Sequence, residues 1–220
     1  YISNRSHGDG NFNDLAAMTS SIAHRGPDSH GYYYKERRGQ IIGFGHRRLS
    51  IIDLSDNADQ PIENEDGTVV VILNGEIYNY RELTRNLKNK GHVFKSQSDT
   101  EVIVHLYEEY RESFLEKIEG MFAIALYDKK KNILLIVRDR LGIKPLYYAV
   151  SNKNIYFASE IKALLKLKAI SRELDYRSLD SYIAFGYITG DRTIFRDIKK
   201  LAPASYLLYS DGNLTISDYW

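Results

Sequence analysis

The chain has 220 residues, with 30 Lys and Arg against 29 Asp and Glu, so a formal charge of +1 leaves no global field to draw it toward nucleic acid or anionic lipid. Its 43% apolar and 27% charged residues match a folded globular composition, and its longest apolar runs, MFAIALY and ILLIV, are strand-sized rather than membrane-spanning. The lack of cysteine excludes disulfides, thiolate metal sites and a cysteine nucleophile within these residues. The opening segment YISNRSHGDG carries neither an initiator Met nor a secretory signal pattern. It sets the expectation of a cytoplasmic protein whose natural start has been cut.

Leu15, Met18 and Ile22 fall at helical spacing and predict a helix over 13–23, ended by the turn cluster HRGPD. IIGFGH and LSII then read as strands, and VVVIL reads as a strand buried on both faces. Leu83 and Leu87 predict a helix over 80–90 that stops before Gly91. A further helix is expected over 99–110, with Ser98 and Glu101 at capping-box spacing. FAIALYD and NILLIVRD flank three lysines as a hairpin with a solvated basic turn. PLYYAV and NIYFAS form another strand pair and lead into a helix over 160–167. Asp175 caps a helix to Phe185 that Gly186 ends, and the final hairpin turns at Asp211-Gly212. Strands in sequential pairs, with neither a βαβ alternation nor a dinucleotide fingerprint, place the chain in the α+β class.

Nucleotide-binding, metalloprotease, nucleophile-elbow and kinase motifs are all lacking, so no motif is present to hold ATP or zinc. The six histidines show no metal-ligand spacing, and no metal is expected. Three clusters remain, each with a local structural reading: HRGPD as a turn, Asn74-Gly75 as a hairpin turn and Ser98-Asp99 as a helix cap. Together they also describe a site for a small zwitterion. Arg48 has the planar fork that grips a carboxylate, while Asp99 and Glu76 suit an ammonium group. The Asn74 amide and the Gly75 N–H are two adjacent donors of the kind an oxyanion hole needs.

The strings HRGPD, GHRRLSIIDLS, ADQPI, LNGEIYNYREL, SQSDTEVIVHLYEEY, EGMFAIALYD, RDRLGIKPLYY, FASEIKAL, FGYITGDRTIF and DYW resemble, across nearly the whole chain, the N-terminal glutaminase half of glutamine-hydrolysing asparagine synthetases. This resemblance implies an N-terminal-nucleophile hydrolase fold, a four-layer α-β-β-α sandwich of two antiparallel sheets, with residues 1–220 as the glutaminase domain. It implies that glutamine is hydrolysed to glutamate by an N-terminal cysteine whose own α-amine is the base. The ammonia then passes to a C-terminal synthetase domain that makes asparagine from aspartate. ATP and Mg²⁺ are expected only in that domain, with no cofactor in this one. Carried over residue by residue, Arg48 holds the glutamine carboxylate, and Asp99 with Gly75 and Glu76 holds the ammonium. Asn74 and Gly75 hold the oxyanion, while Leu49, Ile51 and Ile52 line the pocket through backbone groups. HRGPD borders it, with Arg25 a minor candidate. The family's cysteine would sit about five residues ahead of Tyr1, so the chain as written is expected to be inactive. The competing expectation is a non-catalytic glutamine-sensing or docking module; the 18 tyrosines also allow a homodimer.

Overall fold

The computed structural model describes residues 1–4, 10–37, 39–50, 53 and 55–220. The apolar runs become two antiparallel sheets. The first contains β1 (Ile2–Asn4), β2 (Ser29–Arg37), β3 (Gln40–Arg48), β8 (Tyr147–Ser151), β9 (Asn154–Ala158) and β10 (Ile198–Lys200), in the spatial order β10-β8-β9-β1-β3-β2. The second contains β4 (Ile62–Glu63), β5 (Val69–Ile77), β6 (Gly120–Asp128), β7 (Ile133–Arg138), β11 (Ser205–Ser210) and β12 (Asn213–Asp218), ordered β12-β11-β7-β6-β5-β4. The helices are α1 (Phe12–Ser21), α2 (Tyr80–Asn89), α3 (Glu101–Tyr110), α4 (Ile161–Leu164) and α5 (Tyr176–Phe185).

The core divides into layers that follow from strand alternation. Phe44 and Phe157 of the first sheet meet Val70, Ala125, Leu134 and Ile136 of the second between the two sheets. On the outer face of the second sheet, Val71 and Leu73 pack with Leu87 of α2 and with Val102 and Leu106 of α3. On the outer face of the first, Ile41 and Tyr156 pack against Leu15 and Met18 of α1 and Ala163 and Leu164 of α4. Helices thus cover both sheets, giving the expected α-β-β-α layering. β5 is apolar at successive positions because consecutive side chains enter two different cores. No helix among the described residues is long and apolar enough to cross a membrane.

Most predicted helices and hairpins lie where the spacing puts them. Asp175 accepts the amide of Arg177 at the start of α5, and Gly186 ends it at a φ of 77°. Asp211 and Gly212 both have positive φ in the β11–β12 turn, as a two-residue hairpin requires. Three local expectations are corrected. Leu49 and Ser50, the described half of LSII, are not in a strand: β3 ends at Arg48, and Ser50 N–H donates to the Asp28 carboxylate at 2.8 Å rather than to a neighbouring strand. Ile51 and Ile52 lie outside the described residues. Asn74-Gly75 is not a hairpin turn, because the β5–β6 ladder runs unbroken through Asn74–Ala123 and Gly75–Phe122 to Ile77–Gly120. Ser98 and Glu101 do not form a capping box. The Ser98 hydroxyl accepts from Thr100 N–H at 3.1 Å, and the Glu101 carboxylate accepts from the amides of Lys95 and Ser96, both at 2.7 Å. β1 and β2 were not legible, since polar or tyrosine-rich stretches mask their alternation.

Candidate functional site

Two cavities flank the Asn74–Gly75 segment of β5. The first, with about 400 Å³ of open space, is lined by Arg48, Gly75, Glu76 and Asp99, with Gln60 and Thr100 beside them. Four of the residues singled out by charge and donor type therefore share one cavity, although they come from β3, β5 and the turn before α3. Leu49 does not share it: the side chain stands exposed beyond the end of β3.

The cationic end is Arg48, buried at the last position of β3. Its guanidinium donates from Nη1 to Asp59 Oδ1 at 2.8 Å and to the Ser55 carbonyl at 3.3 Å, and from Nη2 to the Asp53 carbonyl. Burial pushes the Asp59 carboxyl up, but hydrogen bonds from Ser29 and Arg48 outweigh this and hold it below the usual carboxylate range. The HRGPD loop sets the backbone here. A Cβ on Gly26 would stand 2.4 Å from the Arg47 carbonyl carbon, so only glycine permits this approach to β3. Arg25 lies on the second cavity and pairs with Glu160 at 3.3 Å.

The anionic end is Asp99. Its Oδ2 accepts the buried N–H of Ile77 at 2.9 Å, which ties the turn before α3 to the end of β5. Burial, followed by the nearby Glu76 carboxylate, raises its carboxyl above the ordinary aspartate value. Gln60 forms a bridge beneath both ends, accepting from Leu73 N–H at 2.6 Å and donating to the Thr100 hydroxyl at 3.1 Å. Asp28, Asp59 and Gln60 escaped the sequence reading because their partners are distant in the chain.

The second cavity, with about 870 Å³ of open space, is a groove between β3 and β9 lined by Gly45, His46, Phe157, Ala158 and Asn74. Burial lowers the His46 imidazole to about 4, so near neutral pH it is uncharged, with Nε2 3.1 Å from the Leu73 carbonyl. Among the described residues, the Asn74 amide nitrogen is buried without a hydrogen-bond partner. Such a donor is costly to leave unmet. Gly75 lies against β6 so closely that a Cβ would be 2.0 Å from the Met121 carbonyl oxygen.

The model of the glutamine amidotransferase domain matches residues 2–220. Asparagine synthetase [glutamine-hydrolyzing] 1 of Bacillus subtilis is 43% identical over 207 residues, covering 94% of this chain and 32% of that protein. A putative asparagine synthetase of Methanocaldococcus jannaschii is 32% identical over 94% of this chain and 43% of its own length. The chain thus spans about a third of the length of the first of these curated relatives. The solved glutamine phosphoribosylpyrophosphate amidotransferase of B. subtilis, complexed with ADP and GMP, superposes with a TM-score of 0.57 at 19% identity, over 84% of this chain and 36% of that one. That likeness shows a shared fold.

Ionised Asp99 is disfavoured by burial and by Glu76, so at neutral pH its charge opposes folding; this penalty grows as pH rises from the unfolded to the raised folded value. Asp99→Asn keeps an acceptor for Ile77 N–H and removes the charge. The variant is expected to melt no lower than the parent at pH 7 in calorimetry, yet to lose glutamine binding by titration.

Proposed function

Because the chain belongs to the glutamine amidotransferase domain family, we propose that the cavity between Arg48 and Asp99 holds the amino-acid end of glutamine while its side-chain amide is hydrolysed in the adjoining groove. The observation that carries this reading is the placement of a buried cation and a buried carboxylate on one small cavity whose wall is the Gly75–Glu76 edge of β5. Arg48 takes the α-carboxylate, while Asp99 and Glu76 take the α-ammonium. The amide then extends along β5 toward Asn74. Its developing oxyanion is met by the buried Asn74 amide nitrogen, with Gly75 N–H as the second donor.

The register supports a nucleophile arriving through the groove. Tyr1 nitrogen donates to the Gly43 carbonyl at 2.6 Å, and Gly43 N–H donates back to the Tyr1 carbonyl at 3.0 Å, so β1 enters the groove as a paired strand. Ile2 pairs with Ile42 and Ser3 with Ile41. Continued one residue at a time, this register sets the fifth residue ahead of Tyr1 across from Arg48. A cysteine there stands beside both cavities. Its thiolate attacks the amide carbon, and the tetrahedral intermediate collapses as ammonia leaves with the proton held by the cysteine α-amine. Water then cleaves the thioester to glutamate and restores the thiol.

The curated relatives' names couple glutamine hydrolysis to asparagine synthesis; the ammonia is proposed to serve a synthetase part that forms asparagine from aspartate with ATP and Mg²⁺. Tyr182, Ile183 and Phe185 expose an apolar face on α5, followed by Tyr187, which suits cover by such a part.

Two measurements test the site. A protein with a free N-terminal cysteine five residues ahead of Tyr1 is expected to release ammonia from glutamine and to be labelled by a glutamine-mimicking electrophile. One extra residue between Cys and Tyr1 turns the thiol to the other strand face and abolishes both. Asn74→Ala in the active protein lowers kcat by about 10²–10³-fold. Ammonia release at normal rates without the cysteine overturns the scheme, and glutamine binding without any release by the cysteine form favours a sensing module. Arg48→Lys keeps charge but loses the fork. It is expected to raise KM by about 10–100-fold with kcat little changed, as loss of a charged hydrogen-bond pair worth about 1.5–3 kcal/mol implies. An unchanged KM removes Arg48 from carboxylate recognition.

A further inference from the structure

His105 on α3 is 1% exposed, and among the described residues neither ring nitrogen makes a hydrogen bond. In place of water, the buried imidazole has among these residues only carboxylates at 3.3–3.8 Å from its ring nitrogens. Three further donors surround its Nδ1 side: Glu65 from the turn after β4, His92 from the segment between α2 and α3, and Glu108 one turn along α3. One ligand-type atom from each of the four lies within 4.8 Å of all the others. His105 Nδ1 is 3.3 Å from a Glu65 carboxylate oxygen and 3.4 Å from one of Glu108. His92 Nδ1 is 3.7 Å from the same two carboxylates.

These separations are long or badly angled for hydrogen bonds, but they fit another geometry. Nitrogen and oxygen donors bound to zinc at about 2.0–2.1 Å in a tetrahedron stand about 3.4 Å apart. We propose that Glu65, His92, His105 and Glu108 form a structural site for a divalent transition metal, with zinc the first candidate. Two imidazoles and two carboxylates suit a borderline ion, and the two carboxylate charges neutralise it.

The outer contacts match that role. His92 Nε2 is 3.2 Å from Glu109, and His105 Nε2 is 3.8 Å from the buried Glu101 carboxylate, so each ring turns Nδ1 inward and its far nitrogen toward an acid. The second oxygen of Glu108 accepts from the Asn64 amide at 2.7 Å, and Glu65 accepts from Val93 N–H at 2.9 Å. Partners of this kind fix the tautomer and orientation of metal ligands. A bound ion would join the β4–β5 turn, the α2–α3 connection and α3 in one clamp, behind the turn that carries Asp99. The sequence offers no sign of this, because the ligands span residues 65–108 and come from three segments with no motif spacing.

The test uses the full-length protein, stripped of metal with a chelator and titrated separately with Zn²⁺ and Co²⁺. The expected result is one equivalent more of tight binding in the parent than in His92→Ala, together with a tetrahedral cobalt absorption band that His92→Ala lacks. At a hundredfold excess over Kd, zinc raises the parent Tm by about 5–10 °C. Glu109→Gln weakens zinc affinity by about 10–100-fold while leaving the stoichiometry intact. Circular dichroism of His92→Ala, a partly exposed position, checks that the fold persists; if it does not, Glu108→Gln replaces it with the same expectation. Equal metal stoichiometry in parent and variant, or an octahedral cobalt spectrum, overturns the site.

Discussion

The ladder between β5 and β6 is the constraint on which the site depends. It runs from Val69–Asp128 to Ile77–Gly120 without a bulge, and at Gly75 the neighbouring backbone comes so close that no side chain fits. An unbroken antiparallel ladder fixes which face each residue takes. Val71 and Leu73 therefore enter the core under α3, while Val70 and then Asn74 face the space between the sheets. A slip of one residue would send the Asn74 amide into an apolar core and a leucine into the groove. The same packing that stabilises the second sheet thus sets the donor in place before any ligand arrives. In a low-dielectric site, such prior positioning is what makes a hydrogen-bond donor effective against developing charge.

The two charged ends are secured differently. Arg48 is buried but compensated, since Asp59 and two carbonyls share its guanidinium, and Asp59 is itself held by Ser29. Asp99 is undercompensated: one backbone N–H and a distant serine hydroxyl face a carboxylate that burial and Glu76 both disfavour. Under the proposed reading, an arriving ammonium group relieves that imbalance. A carboxylate arriving at Arg48 instead competes with Asp59. On that reading, the ammonium end gains from the charge the fold leaves unpaired, and the carboxylate end contributes affinity through the planar fork of Arg48.

Local chemistry was legible in the sequence wherever the partners are near in the chain. The Asp175 cap, the Gly186 stop and the Asp211-Gly212 turn are decided within four residues, and the structure follows them. Local signals failed where a distant partner outweighed them. Asn74-Gly75 is a strong hairpin dipeptide, but nine paired residues across β5 and β6 override it. Leu49 and Ser50 begin an apolar stretch that reads as a strand, yet the Asp28 carboxylate takes the Ser50 amide and the strand ends at Arg48. Charge and donor type, together with a resemblance to a known family, point to Arg48, Gly75, Glu76 and Asp99; their sharing one cavity is a product of topology. Gln60 and His46 carry no such charge signature, so only the tertiary contacts reveal them.

α3 links these features. It is buried from Glu101 through Tyr107, polar residues included, which a surface helix with one apolar face would not be. Its apolar members Val102, Ile103 and Leu106 are held by the second sheet and α2. Its polar members face in other directions: Glu101 gathers the amides of Lys95 and Ser96, and His105 meets Glu65 of the β4–β5 turn. The turn ahead of it carries Asp99, bound to the last N–H of β5. A helix held by its neighbours in this way yields little at its N-terminal end, so under the proposed reading little ordering cost falls on binding an ammonium group there.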